Sequence, residues 1–417
     1  MTDSSTRPTD DGPGRTEVCA PGQAPVVSPI AQLAYVFSEY SSGTGNAMST
    51  KINAQARAHE AMGGTTYVVV SDRRRHDYPN GTLVRYPSLR SSRREWFTDL
   101  ERRADVVCGL AVGHRPFIAR FHREALAAVP ADSKVLVVYN YAGAVTDRLV
   151  RGFDGKVVLH LGNEVFRSWR PAEIRRVIGR THVTVAVSDY LADSVASRIG
   201  GRPDNLHVLR NGVDTEAFRP RPKPRHAGPH QPGDGPPTIL FVGNVVPHKG
   251  AHHLVAAAGA LARRTRDFRV RIVGSSGLRG SERLSPYELA LRRAAEPLGE
   301  LVEFTPFTDR RSIAGVYAAA DVFCMPVDWQ EPAGQVVTEA MASGLPVVSA
   351  RSGGIPEYLG PEGVYVDPRE PEQLAEALHA LVADPGERRR RGALLRARAE
   401  TMTWERNVRE LLALVAD

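Results

Sequence analysis

The sequence is poor in cysteine and in long apolar runs, and each shortage narrows what the protein can be. Its 417 residues include only three cysteines, Cys19, Cys108 and Cys324, which are odd in number and far apart. Free thiols are therefore expected rather than disulfide bridges or a metal centre. No apolar run approaches the roughly 18 residues that a bilayer-spanning helix needs. Residues 1–28 lack the hydrophobic core of a signal peptide, so a disordered lead-in and a cytoplasmic location are expected.

Lysine is also scarce, and it supplies only five of the 54 basic residues behind the formal charge of +7. The arginines occur in short clusters such as 73–75 and 388–391. A nucleic-acid-binding protein would interleave aromatic residues with such clusters or carry a recognisable binding module, and the sequence shows neither. Solvated helix faces explain the clusters, with attraction to an anionic membrane surface as the alternative.

Short apolar runs alternate with amphipathic stretches along the rest of the chain. Strands are predicted at 33–37, 66–70, 105–108, 134–139, 156–160, 182–187, 238–242, 269–273, 301–304, 322–325, 346–349 and 364–366. The order strand, helix, strand predicts parallel sheets covered on both faces. We therefore predict an α/β protein of two doubly wound, Rossmann-like domains facing a central cleft, because 417 residues exceed what one core usually organises.

Residues 219–237 are rich in proline and glycine and lack apolar periodicity, which predicts an interdomain linker. The first domain is then placed at 29–218 and the second at 238–400. Residues 401–417 are predicted to be a C-terminal amphipathic helix that needs an apolar surface to cover.

Loops that follow the predicted strands of the second domain carry residues suited to a ligand, because ligands collect at the carboxyl ends of parallel strands. The loop after the first of these strands contains Gly243, Asn244 and Lys249 and leads into a helix. Glycine lets a ligand approach the backbone, a helix start offers free amides, and lysine adds charge, which together suit a diphosphate. The loop 274–280 is again glycine-rich and carries Arg279.

Two carboxylates, Glu331 and Glu339, stand eight positions apart on either side of a predicted helix start at Gly334. The amides of Gly334, Gln335 and Val336 are expected to point to one place. A lone carboxylate on the small polar face of this helix needs donors, which a vicinal diol supplies. The pair therefore suits a sugar at Glu331 and a ribose at Glu339. The alternative is that Glu339 only decorates a solvated helix face.

These residues resemble the large retaining glycosyltransferase family 4, which has the GT-B fold. The resemblance rests on Glu331-x7-Glu339 with its continuation, on residues 209–214 and on residues 241–250. It covers roughly residues 33–415, and the motifs of the second half are the specific ones.

The resemblance implies that Glu339 holds the ribose hydroxyls, Glu331 the donor sugar and Lys249 the diphosphate. It implies that Gly334 and Gln335 donate amides to the donor. It also implies that the last helix crosses back onto the first domain.

One position departs from the family pattern. The family usually has arginine directly after the glycine of the first loop, and here the residue is Asn244. A single group that stabilises an oxyanion can contribute ~3 kcal/mol to catalysis, so compensation or weakened activity is expected. The hypothesis is that Arg279 or Arg351 supplies the missing charge.

The first domain is expected to hold the acceptor and to touch the donor. By the resemblance, Gly43 and Gly45 lie near the donor diphosphate. His160, at the end of a predicted strand, would contact the donor sugar, with a core histidine as the alternative.

Acidic residues of the same rim are candidates for binding the acceptor. Glu39, Asp72 and Glu164 follow predicted strands, as does Asp189. They are either caps and turn residues or, if they converge, a site for an amine-bearing acceptor such as an aminocyclitol or aminoglycoside in antibiotic biosynthesis.

The resemblance implies retaining transfer of a hexosyl or N-acetylhexosaminyl group from a nucleotide-diphosphate sugar, with UDP favoured, to a hydroxyl of a small polar acceptor. The catalytic candidates are Glu331, His160 and Lys249. No Asp-x-Asp motif lies in a suitable loop, so neither a metal nor a cofactor beyond the nucleotide sugar is expected. The alternatives are a lipid or cell-envelope polysaccharide acceptor, a nucleotide-sugar epimerase of the same fold, and a sugar-nucleotide-binding protein without activity.

Overall fold

The computed structural model describes residues 28–34, 39–44, 46–72, 74–87, 95–112, 116–146, 148–220, 235–277 and 283–416. The first half of the chain forms β1 (Ile30–Leu33), α1 (Ala47–Ala61), β2 (Thr66–Ser71), β3 (Thr82–Tyr86), α2 (Glu95–Val112), α3 (Pro116–Ala127), β4 (Val135–Tyr139), α4 (Arg148–Arg151), β5 (Lys156–Leu161), α5 (Pro171–Ile178), β6 (Val183–Ala186), α6 (Asp189–Ile199) and β7 (Leu206–Val208). The second half forms β8 (Thr238–Val242), α7 (Ala251–Ala262), β9 (Arg269–Val273), α8 (Pro286–Ala295), β10 (Val302–Thr305), α9 (Ile313–Ala318), β11 (Val322–Met325), α10 (Gln335–Ala342), β12 (Val347–Ser349), α11 (Ile355–Leu359), β13 (Val364–Tyr365), α12 (Pro371–Ala383), α13 (Pro385–Glu400) and α14 (Trp404–Ala416).

The strands form two parallel sheets. Within the described residues, the first sheet has the order β3-β2-β1-β4-β5-β6-β7 and the second the order β10-β9-β8-β11-β12-β13. This confirms the predicted α/β fold of two doubly wound, parallel-sheet domains. In each sheet the strand order reverses beside the first strand, between β1 and β4 and between β8 and β11. Such reversal points are where doubly wound sheets bind their ligands.

Helices cover both faces of each sheet, and the strands are accordingly apolar. Every residue of the central strand β4 is buried. Ile52 of α1 and Leu411 of α14 pack on one face of the first sheet, and Ile174 of α5 and Leu191 of α6 pack on the other. In the second sheet, α7 and α12 cover one face while α10 and α13 cover the other.

Most predicted strands are confirmed to within a residue or two, but the strand predicted at 105–108 is wrong. These residues lie inside α2, where Asp105 is buried and accepts a hydrogen bond from the amide of Phe117 at 2.9 Å. The apolar run Val106–Cys108 has only three residues, too few to distinguish a strand from one side of a helix. The first strand lies at β1 rather than at 33–37, and residues 35–37 lie outside the described part of the chain. The sheet edges β3 and β7 were not predicted.

Cysteine behaves as the sequence suggested where it is described. Cys324 is a buried free thiol in β11, and Cys108 is a free, half-buried thiol in α2 rather than at the end of a strand. Cys19 and most of the predicted linker, residues 221–234, lie outside the described residues. No helix within the described ranges is both long enough and apolar enough to cross a bilayer.

The last helix, α14, packs on the first domain although the chain has already formed the second. Its buried face carries Trp404, Val408 and Leu411, which join the core around Ile30 of β1. Full burial of such a side chain contributes roughly 1.5–3 kcal/mol. The amide of Gln55 in α1 also donates a hydrogen bond to the side chain of Asn407 at 2.6 Å. The first domain is therefore completed by the end of the chain.

Candidate active site

A cavity of about 150 Å³ lies between the two domains. Its second-domain wall consists of the loops after β8, β9 and β10 and the first turns of α10. Its first-domain wall is the start of α1, and Trp404 of α14 also lines it. The cavity therefore lies at the carboxyl edge of the second sheet, where its strand order reverses. The polar and charged residues that line it are Thr50, Lys51, Asn244, Ser275, Thr308, Arg310, Gln335 and Glu339.

Two glycines allow the loops after β8 and β9 to meet at this wall. Gly274 has a φ angle of 136°, and a Cβ atom there would lie 2.0 Å from the carbonyl oxygen of Gly243. Any other residue at Gly274 would therefore push the two loops apart. The close contact leaves the backbone of Gly243 and Gly274 facing the cavity, as the sequence predicted for Gly243.

Helix α10 begins as predicted, directly after Gly334, whose φ of 71° is in the left-handed region. The first amides of a helix have no acceptor within the helix, so the start of α10 offers them to the cavity. One turn further, the Glu339 side chain is only 1% exposed. Its Oε2 accepts a hydrogen bond from the Tyr317 hydroxyl at 3.1 Å, and its Oε1 lies 2.6 Å from Nη2 of Arg310.

Arg310 connects the two sides of the cleft. Its guanidinium lies 5.1 Å from the centre of the Phe218 ring, and its backbone amide donates a hydrogen bond to the carbonyl of Ser42 in the first domain at 3.3 Å. Burial lowers the pKa of Arg310, but the charge of Glu339 and the hydrogen bond to it more than offset that effect and raise the net pKa. Arg310 is therefore a permanent cation that neutralises Glu339.

Lys249 and Glu331 form a second ion pair beside the cavity. Nζ of Lys249 lies 2.5 Å from Oε2 of Glu331, which also accepts a hydrogen bond from Nε1 of Trp329 at 3.0 Å. Nζ also lies 5.0 Å from the centre of the Trp329 ring. The amide of Gly354, in the loop between β12 and α11, donates a hydrogen bond to the carbonyl of Glu331 at 2.8 Å. Neither Lys249 nor Glu331 lines the cavity itself among the residues described.

On the opposite wall, a buried lysine forms its hydrogen bonds within the described part of the chain with two neutral groups. Lys51 of α1 is 7% exposed, and its Nζ contacts Nε2 of His160 and lies 2.6 Å from Oδ1 of Asn211. Burial lowers the pKa of Lys51 well below its ordinary value. Burial, followed by the nearby charge of Lys51, lowers the pKa of His160 well below its ordinary value, so this imidazole is neutral.

The segment around Asn211 joins the domains behind the cavity. The Asn211 amide donates to the hydroxyl of Tyr358 in α11 at 3.0 Å, and Gln335 of α10 donates to the carbonyl of Gly212 at 3.0 Å. Nearby, the carboxylate of Glu357 accepts hydrogen bonds from the amides of the first turn of α6. The resemblance motif at 209–214 is thus an interdomain junction.

The structure brings together many of the predicted donor residues but not all of them. Gly243, Asn244, Gln335, Val336 and Glu339 line the cavity. Val336, whose amide was predicted to point to the ligand, is half-buried and also lines the cavity.

Other predicted residues lie elsewhere. His160 is 2% exposed and stands behind Lys51 instead of lining the cavity. Gly43 is exposed in the loop beside Ser42. Gly45 and Arg279 lie outside the described residues.

The predicted acceptor residues Glu39, Asp72 and Glu164 do not line this cavity. Asp72 and Glu164 are exposed, and Glu164 accepts a hydrogen bond from the hydroxyl of Tyr190 at 3.0 Å. Asp189 is paired with Arg210 at 2.6 Å.

Arg351 does not supply the charge that Asn244 lacks in this cavity. Its guanidinium stacks on the ring of Tyr365 at 4.1 Å and lines a separate, open cavity of about 550 Å³ together with Arg369. Arg351 therefore fails as the compensating cation in this structure.

Lys51 and Arg310 were not predicted as site residues. Lys51 lies in α1 and is one of only five lysines of the chain, and this scarcity is the one signal that could have drawn attention to it. Arg310 follows β10 in a loop without a recognisable motif. Among the described residues, no group of three or more His, Cys, Asp or Glu side chains is placed to hold a metal ion.

Two families match the chain, one for each domain. Residues 52–217 match the family described as Glycosyltransferase Family 4, and residues 223–395 match Glycosyl transferases group 1.

Individual relatives agree with these matches. Spore coat protein SA of Bacillus subtilis is 30% identical over 273 residues, which are 63% of this chain and 72% of that protein. The GDP-mannose-dependent alpha-(1-6)-phosphatidylinositol monomannoside mannosyltransferase of Mycolicibacterium smegmatis is 35% identical over 54% of this chain and 60% of the relative. The D-inositol 3-phosphate glycosyltransferase of Streptomyces coelicolor is 31% identical over 56% of each chain. The match thus spans less than two thirds of the length of these two enzymes.

Solved structures share the whole fold. Sucrose-phosphate synthase from Thermosynechococcus elongatus superposes with a TM-score of 0.66 at 19% identity, covering 93% of this chain and 98% of that one. Anabaena HepE in complex with UDP and glucose gives a TM-score of 0.63 at 17% identity, covering 92% and 98%. Two parallel-sheet domains with a cavity between them thus have the GT-B fold, and the two family matches make the chain a glycosyltransferase of that type. Within that class, the chain belongs to glycosyltransferase family 4.

Proposed function

We propose that the protein transfers a hexosyl or N-acetylhexosaminyl group, with retention, from a nucleotide-diphosphate sugar to a hydroxyl of a small polar acceptor. The observation that carries this proposal is the cavity in which Glu339, the start of α10 and the loop of Gly243 meet. A buried carboxylate suits the two hydroxyls of a ribose, and free amides at a helix start suit phosphate or sugar oxygens.

The pair formed by Glu331 and Lys249 would act at the reacting end of the donor. Because Glu331 is held by Lys249 and Trp329, its carboxylate is fixed before the donor sugar arrives. Preorganised charge of this kind lowers the barrier of a reaction that develops charge. The leaving diphosphate would assist the incoming hydroxyl, so no protein nucleophile is needed and we propose that the reaction requires no metal.

The nucleotide of the donor is UDP in our proposal, with GDP as the specific alternative. The Anabaena structure is named as a complex with UDP, whereas the Mycolicibacterium smegmatis relative is named for GDP-mannose. The small cavity has its polar groups on both walls, which supports a nucleotide but fits either base.

The acceptor is proposed to be a small hydroxylated molecule bound by the first domain in the cytoplasm, with an aminocyclitol or aminoglycoside as the specific suggestion. The named acceptors of the relatives favour a second candidate, because D-inositol 3-phosphate is small and polar but phosphatidylinositol monomannoside is a lipid. Transfer to an acceptor presented in liposomes would favour the lipid.

A thermal-shift screen tests the donor part of the proposal. Wild-type protein is heated with UDP, GDP and their sugars. A ligand at a hundredfold excess over its Kd stabilises the folded protein by about 2.7 kcal/mol and so raises the melting temperature. Glu339→Gln is the matched variant, and a roughly tenfold loss of affinity should remove about half of this stabilisation. If no nucleoside diphosphate stabilises the wild type, the proposed function is wrong. If the donor alone is converted to an epimer without transfer, an epimerase replaces the transferase.

A further inference from the structure

One ionisable group of the cavity has no partner of opposite charge among the described residues. The described lining contains three ionisable side chains, and two of them, Arg310 and Glu339, neutralise each other at 2.6 Å. The third is Lys51, whose partners within the described residues are the neutral His160 and Asn211. An ammonium group has three N–H donors, so two partners leave one donor for a ligand.

The position of Lys51 in its helix adds a second positive contribution. The cavity touches Ala47, Thr50 and Lys51, which belong to the first turns of the 15-residue helix α1. The first turn of α1 contains no acidic residue, and the side chain of Asn46 caps it. Helix starts carry a partial positive charge and free amides, which favour an anion.

Burial makes this arrangement costly unless an anion fills the cavity. Lys51 is more than nine-tenths buried, and a buried charge without a counter-charge is unfavourable. The facing wall has the neutral side chain of Asn244 and the backbone of Gly243. An anion between the walls would contact Lys51 on one side and this loop on the other.

We propose that Lys51, with the start of α1, binds the diphosphate of the donor and supplies the positive charge that Asn244 does not. This inference rests on the proposed function. It makes Lys51 a positioning group of the first domain for a ligand whose other contacts lie in the second domain. The diphosphate would thereby bridge the two domains.

Proton uptake gives a readout that a purely structural lysine would not produce. Burial lowers the pKa of Lys51, and a bound diphosphate would raise it again, so the protein takes up protons on binding. The groups that face Lys51 are His160 of β5, the ring of Tyr139 of β4 at 6.0 Å, and Arg310 and Glu339 across the cavity. His160, whose Nε2 contacts Nζ of Lys51, is the neighbour that could share this proton.

The test uses calorimetric titration of the full chain with inorganic pyrophosphate, UDP and GDP in two buffers that differ in ionisation enthalpy. The variants are Lys51→Met, Lys51→Arg and, as a matched control, Lys134→Met, which removes an exposed lysine of the same domain. We expect Lys51→Met to weaken pyrophosphate and nucleoside diphosphates at least tenfold and to abolish proton uptake. Lys51→Arg should retain most of the affinity, and Lys134→Met should match the wild type.

The outcomes separate the two proposals. If correctly folded Lys51→Met binds pyrophosphate like the wild type, the role of Lys51 is refuted while the transferase stands. Binding of the nucleoside without phosphates can be followed by saturation-transfer NMR. If Lys51→Met weakens this binding as much as it weakens binding of the nucleoside diphosphate, Lys51 has only a structural role. Binding of pyrophosphate that depends on Lys51 but shows no preference for nucleotides would support Lys51 and refute the proposed donor. A wild type that binds neither pyrophosphate nor a nucleoside diphosphate refutes both.

Discussion

The guanidinium of Arg310 lies 2.6 Å from the carboxylate of Glu339, a side chain that is 1% exposed. This pair fixes the carboxylate of Glu339, which lines the cavity, without any ligand. A ribose would therefore meet an acid whose charge and direction are already set by Arg310 and Tyr317.

Removing Arg310 should destabilise the protein. Arg310→Met leaves Glu339 as a buried charge without its cation, and breaking such a pair costs about 3 kcal/mol. The double variant with Glu339→Gln should recover much of that loss, because the effects of contacting residues are not additive. Urea unfolding measures both. Arg263→Met, which removes an exposed partner of Glu372, is the control and should change stability by less than about 1 kcal/mol. Additive losses would contradict a direct coupling.

The buried Lys51 should make stability depend on pH. Its native pKa is lowered by burial, so between that pKa and the unfolded value near 10.5 the unfolded chain binds more protons than the native chain. Stability therefore rises as pH increases through this window and falls as pH decreases. The melting temperature of the wild type, relative to that of Lys51→Met, should therefore increase from pH 7 to pH 9. A constant difference between the two would show that the pKa of Lys51 is not lowered.

The two acids should affect different kinetic constants. Glu331→Gln should lower kcat about 100-fold, the size expected for a group that acts on transition-state charge, with little change in nucleoside diphosphate affinity. Glu339→Gln should weaken that affinity roughly tenfold, because a hydrogen bond to a charged group contributes about 1.5–3 kcal/mol. Steady-state kinetics and direct titration separate them. The same effect from both variants would argue against separate roles.

Gly250, which caps the start of α7 after Lys249, should not tolerate a side chain. Its φ is 80°, and a Cβ atom there would lie 1.7 Å from the carbonyl oxygen of Pro326. Gly250→Ala should cost about 2 kcal/mol or more. Gly259 in the same helix has no described heavy atom within 4 Å of such a Cβ, so Gly259→Ala should stabilise by roughly 0.5–1 kcal/mol. Thermal unfolding of the two variants should thus shift in opposite directions.

Glu357 should couple the two domains. Its carboxylate accepts hydrogen bonds from the amides of Asp189 and Tyr190 at 2.7 and 2.8 Å and lies 3.1 Å from Arg210. Glu357→Ala removes a cap of α6 that is supplied by the other domain, at a cost of about 1 kcal/mol. Calorimetry should then show a broadened or split unfolding transition, whereas we expect the wild type to unfold in a single transition. Glu357→Gln keeps one acceptor oxygen, so the width of its transition should lie between those of the wild type and Glu357→Ala.

The parts of the fold that could be predicted were those that produce a clear pattern in a short stretch of sequence. Central strands such as Val135–Tyr139 are short, β-branched and buried on both faces, which identifies them. The edge strand Thr82–Tyr86 has two exposed polar residues, Thr82 and Arg85, and only one buried residue, so its pattern was too weak to predict. Residues 105–108 were misassigned because their three apolar positions carry no usable periodicity.

The same limit applies to the site. The wall around Glu339 could be predicted because its loop, helix start and carboxylate lie within ten positions of one another. The opposite wall depends on Lys51, whose partners His160 and Asn211 are 109 and 160 positions away in the chain. Only the folded sheet brings these residues together, so no local pattern reports them.

The return of α14 to the first sheet has a consequence for biosynthesis. At a translation rate of 5–20 residues per second, the ribosome reaches Ala416 roughly 10–40 s after it has finished β7. During that interval the apolar surface around Ile30 and Ile52 lacks its cover, although all seven strands of its sheet have been synthesised. The nascent chain thus carries an incomplete domain with an exposed apolar surface, to which chaperones can bind until translation ends.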